Sequence, residues 1–113
     1  CGGDRDKSKR PVMGHIATTL SNKVIFTSDN PRSESPTIII EEMEAGVEAQ
    51  NVNKTLSIVN RKQAIKTACQ LAAAHDIILV AGKGHETYQE TNGVREDFDD
   101  YKIVKELLVN LNK

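Results

Sequence analysis

Two short stretches hold residues whose types and spacing could do chemistry. SDNPR, residues 28–32, sets Asn30 before Pro31 and Arg32 after it. Proline fixes its own φ and pushes the preceding residue toward an extended backbone, so this loop is stiff. An arginine on a stiff loop can grip a carboxylate through two parallel hydrogen bonds, each worth about 1.5–3 kcal/mol, while an asparagine beside it both donates and accepts. The competing interpretation is an Asx-type turn carrying a solvated arginine. AGKGHETYQ, residues 81–89, flanks Lys83 with Gly82 and Gly84 and places Glu86 two residues further on. Glycines let a backbone crowd a ligand, and Glu86 can accept hydrogen bonds from an ammonium group. Lys83 and His85 add further polar options, but the Walker pattern fails, because Lys83 precedes Gly84 and His85 follows it.

A third stretch, CGGDRDKSKR at residues 1–10, combines glycines with Arg5. It can wrap an anion with Arg5 as a carboxylate clamp, or it can be a mobile, solvated segment. His15 and His75 have no visible partner in the sequence and are assigned structural or solvated roles, and Glu41, Glu42 and Glu44 read as a solvated helix face.

The elements that must position these stretches follow from periodicity. A helix is predicted over 11–20, where Pro11 suits the first turn and Val12, Ile16 and Leu20 recur every four residues. KVIFTS, 23–28, is a buried strand. A helix opens at Pro36 and runs through Ile39 and Met43 to about Val47, with Gly46 blurring its end. TLSIV, 55–59, is a second strand, and Asn60 is placed to cap a helix over 61–74. DIILVA, 76–81, is an apolar run of the kind that helices cover on both faces in a parallel sheet. Asn92-Gly93 marks a tight turn, and a closing helix follows from Asp99 or Asp100. This alternation predicts an α/β, Rossmann-like fold with a mostly parallel sheet flanked by helices, in one domain spanning 1–113. All three polar stretches then fall at the carboxyl edge of the strands, where such sheets bind ligands. CGGDRD has the look of a turn between a strand and a helix, so the first strand is expected to be missing, leaving an edge open to a neighbouring chain and to self-association.

Composition restricts the partners. With 113 residues, 38% hydrophobic, 27% charged and a net charge of −1, the chain has no basic field for nucleic acid and no apolar run long enough to span a membrane. Cys1 and Cys69 lack zinc-site spacing and are expected to be reduced thiols, and the cytoplasm is the expected location.

Taken together and in this order, CGGDRDKSKRPVMG, SDNPR and AGKGHETYQ resemble the C-terminal domain of the Mur ligases, over almost the whole chain. The resemblance implies one domain of a three-domain enzyme that joins an amino acid to a UDP-MurNAc-peptide, using ATP and Mg2+ bound mainly by the two absent domains. It implies that the D-glutamate γ-carboxylate is activated as an acyl phosphate and then attacked by the incoming amine. It further implies that Arg5, Asn30, Arg32, Gly82 and Glu86 form a pocket for meso-diaminopimelate, with no catalytic residue in this chain. Alternatives kept open are a relative adding L-lysine and a free-standing nucleotide- or anion-binding module. The helix start Asn60-Arg61 and the pair Tyr101-Lys102 depart from the family pattern, and no role is assigned to Arg61 or Asp100.

Overall fold

The structure is a computed structural model, and residues 1–112 are described. Helix α1, Lys9–Leu20, leads to strand β1, Val24–Phe26, and then to helix α2, Pro36–Glu44. A 3-10 helix, Ala49–Lys54, precedes strand β2, Thr55–Ser57, and helix α3, Arg61–Leu71. Strands β3, Tyr88–Thr91, and β4, Val94–Asp97, form a hairpin before helix α4, Asp100–Asn110. β1 and β2 pair in parallel with Val24 opposite Thr55, Ile25 opposite Leu56 and Phe26 opposite Ser57. β3 and β4 pair antiparallel around Asn92-Gly93, whose φ values of 51° and 79° suit the predicted two-residue turn.

Local signals account for most boundaries. Pro36 sits in the first turn of α2, and Asn60 caps α3 by accepting a hydrogen bond from the Gln63 amide at 2.9 Å. Asp99 caps α4 by accepting from the amides of Tyr101 and Lys102. The main apolar cluster joins Phe26 of β1 to Ile39, Ile40 and Met43 of α2, with Val24, Val47 and Cys1 packed against it. Ala64, Ile65 and Cys69 are buried on α3.

Two expectations are corrected. The apolar repeat Val12, Ile16, Leu20 does not face the core: Leu20 is 81% exposed, and the buried positions of α1 are Arg10, Gly14 and Thr18. The cause is close backbone packing. A Cβ on Gly14 would lie 1.9 Å from the Met43 carbonyl oxygen, and one on Gly46 would lie 1.7 Å from that of Pro11, so α1 and the end of α2 approach through positions with no side chain.

The run 76–81 forms no strand either. Ile77 is 94% and Leu79 86% exposed, and no backbone ladder joins the segment to β1 or β2. Ile78 and Val80 instead line a cavity of about 620 Å³ together with Cys69, Ala72, Val104 and Leu108. Apolar content alone does not make a central strand; it needs a neighbouring strand and helices close on both faces, and here α3 and α4 stand back from the run. No described helix is long and apolar enough to cross a membrane.

Candidate functional site

Three loops meet beyond the end of β1, beside the start of α3. The loop after β1 carries Asp29, Asn30, Pro31 and Arg32; the segment before α1 carries residues 1–8; the loop before β3 carries residues 82–87. The first two are joined directly. The Gly3 amide donates to the Asn30 carbonyl at 2.7 Å, and Arg32 Nη1 donates to the Gly3 carbonyl at 2.9 Å. A Cβ on Gly3 would lie 1.8 Å from the Pro31 oxygen, so only glycine permits this contact. Ser33 Oγ donates to Asp4, and Glu34 accepts from the Asp4 amide and from Arg10, a guanidinium buried in α1. Those hydrogen bonds, the Arg10 one foremost, hold the Glu34 carboxyl well below its ordinary range, at about 2.

The loop after β1 is also fastened to the third loop and the hairpin. Arg32 has a left-handed backbone, φ 52°, a conformation arginine adopts at some cost. It is fixed there because its amide donates to the Glu90 carbonyl at 3.0 Å and its carbonyl accepts from the Asn92 amide at 2.7 Å. Gln89 Nε2 donates to the Asp29 carbonyl at 2.7 Å. Asn30 is 2% exposed, and its Oδ1 accepts from Lys83 Nζ at 2.8 Å and from the Glu90 amide at 3.0 Å, while its Nδ2 donates to Glu86 Oε1 at 3.1 Å.

The five residues singled out in the sequence occupy one cluster. Gly2 lies between the two arginines: a Cβ there would be 2.7 Å from Arg32 Nη1 and 3.8 Å from Arg5 Cγ. Arg5 itself is exposed. Asn30 links Arg32, whose Nη1 is 3.5 Å from the Asn30 carbonyl, to Glu86. Gly82, at φ 112°, sits against Asp29, with its Cβ position 3.6 Å from Asp29 Oδ2. Arg32 and Glu86 therefore both touch one asparagine, a cation and an anion presented by different loops, and Arg32 Nε also lies 3.7 Å from Glu90 Oε2. The arrangement suits a ligand that carries a carboxylate and an ammonium close together.

Sequence reasoning missed two buried cations that organise this cluster. Lys83 has a fully buried side chain. Arg61, the first residue of α3, donates from Nε and Nη2 to both oxygens of Asp100 at 2.9 and 2.7 Å, and from Nη1 and Nη2 to the carbonyls of Ser28 and Ala81, each at 3.2 Å. Ser28 and Ala81 are the residues immediately before the Asp29 and Gly82 loops, so one guanidinium holds the roots of both. A signal existed for Lys83, which lies between two glycines; none pointed Arg61 to a carboxylate 39 residues away.

Residues 1–84 match the family described as Mur ligase, glutamate ligase domain. The chain belongs to the Mur ligase family. This Mur ligase domain is 59% identical, over all of its 113 residues and 23% of the relative, to the protein of Cytophaga hutchinsonii named UDP-N-acetylmuramoyl-L-alanyl-D-glutamate--2,6-diaminopimelate ligase. It is 58% identical over 106 residues, 94% of this chain and 22% of the relative, to the protein of the same name from Bacteroides thetaiotaomicron. The Bacillus velezensis protein of that name is 51% identical over 113 residues, 22% of its length. A solved structure of a ligase so named superposes on the whole domain with a TM-score of 0.92 at 45% identity, covering 23% of that chain. The Mur ligase domain thus spans under a quarter of these relatives' length.

Proposed function

We propose that this domain supplies the amino-acid pocket of an ATP-dependent ligase that adds meso-diaminopimelate to UDP-MurNAc-L-Ala-D-Glu in peptidoglycan precursor synthesis. The observation that carries the reading is that Arg32 and Glu86 both touch Asn30, bringing a cation and an anion near one residue as the neighbouring carboxylate and ammonium at one end of diaminopimelate require. The names of the similar ligases support the same substrate. Arg32 receives the far carboxylate, Glu86 the far ammonium, and Arg5 closes the arginine side beside Gly2. Lysine lacks that carboxylate and would leave the guanidinium with only the Gly3 carbonyl and Glu90, which favours diaminopimelate over lysine. Asn30, being buried, serves the pocket by holding Glu86.

Cleavage of ATP, held with Mg2+, supplies the free energy for the amide bond in such a ligase, and the one lysine between glycines here does not offer itself to a phosphate. Lys83 donates to Asn30 and Tyr88 and faces Asp29 as an ion pair, so its charge is already met within the protein. The domain's part is to bind and orient the amino acid so that its free amine reaches a centre held elsewhere.

The test is Arg32→Ala in the full-length ligase carrying this domain. Losing a bidentate charged contact should raise KM for meso-diaminopimelate about 100-fold, with KM for ATP unchanged. Wild-type kinetics with diaminopimelate would overturn the assignment.

A further inference from the structure

We infer that Lys83 is a positioning residue that aims the Asn30 amide, and through it the Glu86 carboxylate, at the ammonium of the bound amino acid. The inference rests on the proposed pocket and adds to it a residue with no direct contact to ligand. An asparagine amide has one accepting end and one donating end. Asn30 Oδ1 faces two donors, Lys83 Nζ at 2.8 Å and the Glu90 amide at 3.0 Å. A reversed amide would set its NH2 against both of them. The orientation is therefore imposed, and Nδ2 is left to donate to Glu86 Oε1 at 3.1 Å.

Lys83 acts on Glu86 a second time through charge. Its Nζ lies 3.8 Å from Glu86 Oε1 and 3.1 Å from Asp29 Oδ1. Asp29 Oδ1 is buried without hydrogen-bond geometry to any group, and the lysine is the cation in ion-pair contact with it. The remaining contact, from Nζ to the Tyr88 carbonyl at 2.8 Å, fixes the lysine to the start of β3. A compact ammonium here donates to two acceptors, Asn30 Oδ1 and the Tyr88 carbonyl, and meets Asp29 through charge, a set that a larger planar guanidinium does not match. With Oε1 held by Asn30 and Lys83, Glu86 Oε2 has no partner among the described residues. The Glu86 side chain is 38% exposed, so this oxygen is the one left for a ligand.

The test compares two substrates in the full-length ligase carrying this domain. One is meso-diaminopimelate; the other is 2-aminopimelate, which keeps the carbon chain, both carboxylates and the attacking amine but lacks the far amino group. Lys83→Met should lower kcat/KM for diaminopimelate about 30-fold and for 2-aminopimelate under about 3-fold, with KM for ATP unchanged. Lys83→Gln, which keeps donors for Asn30 Oδ1 or Asp29, should fall between wild type and Lys83→Met. A merely structural lysine would damage both substrates alike, and that result, or no loss with diaminopimelate, overturns the inference. If the methionine variant does not fold by circular dichroism, the same ratio for the glutamine variant decides. A wild-type enzyme that does not use diaminopimelate refutes the pocket rather than Lys83. In that case a crystal structure of Lys83→Met decides: Glu86 still bonded to Asn30 overturns the inference, and a turned amide with a displaced carboxylate supports it.

Discussion

Replacing Arg61 with methionine should be among the most damaging single changes in the domain. Arg61 is 3% exposed and its guanidinium makes four hydrogen bonds, two of them to Asp100, itself only 7% exposed. Removing one member of a buried ion pair costs about 3–5 kcal/mol, because the other charge stays behind unpaired. The Ser28 carbonyl is lost to a buried site as well, whereas Ala81 is exposed and water can replace its donor. A loss of about 4 kcal/mol is therefore expected, against a typical total of 5–15. In urea, with a slope of about 2 kcal/mol per molar, the midpoint should fall by about 2 M. Asp100→Asn keeps one acceptor and should cost about half as much. The double change Arg61→Met with Asp100→Leu should be less harmful than Arg61→Met alone, giving a coupling of at least about 2 kcal/mol in the cycle. Urea titration by circular dichroism of wild type, Arg61→Met, Asp100→Leu and the double variant measures the coupling, with Asp100→Asn titrated beside them. An Arg61→Met loss under about 1 kcal/mol, or additive single changes, would refute the reasoning.

Two further outcomes follow from the packing and the charges. Gly14→Ala gains helix propensity but drives a methyl group into the Met43 carbonyl, so the variant should lose about 1–3 kcal/mol where an exposed glycine-to-alanine change in a helix would gain stability; an increased urea midpoint is the contrary result. Glu34, lowered from 4.5 to about 2, contributes stability that is fully present above pH 4.5 and is lost as the pH falls toward 2. Glu34→Gln should flatten that acid limb in a pH series of urea midpoints, and parallel limbs for the two proteins would exclude the carboxylate as its source.

What could be read along the chain was what short-range chemistry decides. Asn60 caps the helix it was placed to cap, Asn92-Gly93 turns the hairpin, and Pro36 opens α2, each through neighbours a few residues away. The polar stretches carrying Arg5, Asn30, Arg32, Gly82 and Glu86 were found because glycine and proline mark irregular backbone, and the fold collects them at one end. The buried side of α1 was hidden, since Arg10, Gly14 and Thr18 become a packing face only when α2 lies against them. Residues 76–81 misled for the complementary reason: an apolar run reports affinity for a core without reporting whether one encloses it. Arg61 with Asp100 and Lys83 with Asn30 join positions 39 and 53 residues apart, and no periodicity encodes such pairs.

The ties running from Arg32 and Asn30 to both neighbouring loops have a consequence for the timing of free-energy costs. Backbone freedom at the pocket is surrendered when the chain folds, and the left-handed turn at Arg32 is held before any ligand arrives. Under the proposed function, an incoming amino acid then spends little on ordering its host, and more of the contact energy reaches the affinity. A mould of this kind deforms poorly toward a wrong guest. Rejection of near analogues should accordingly be felt as faster departure, with rates of arrival nearly alike.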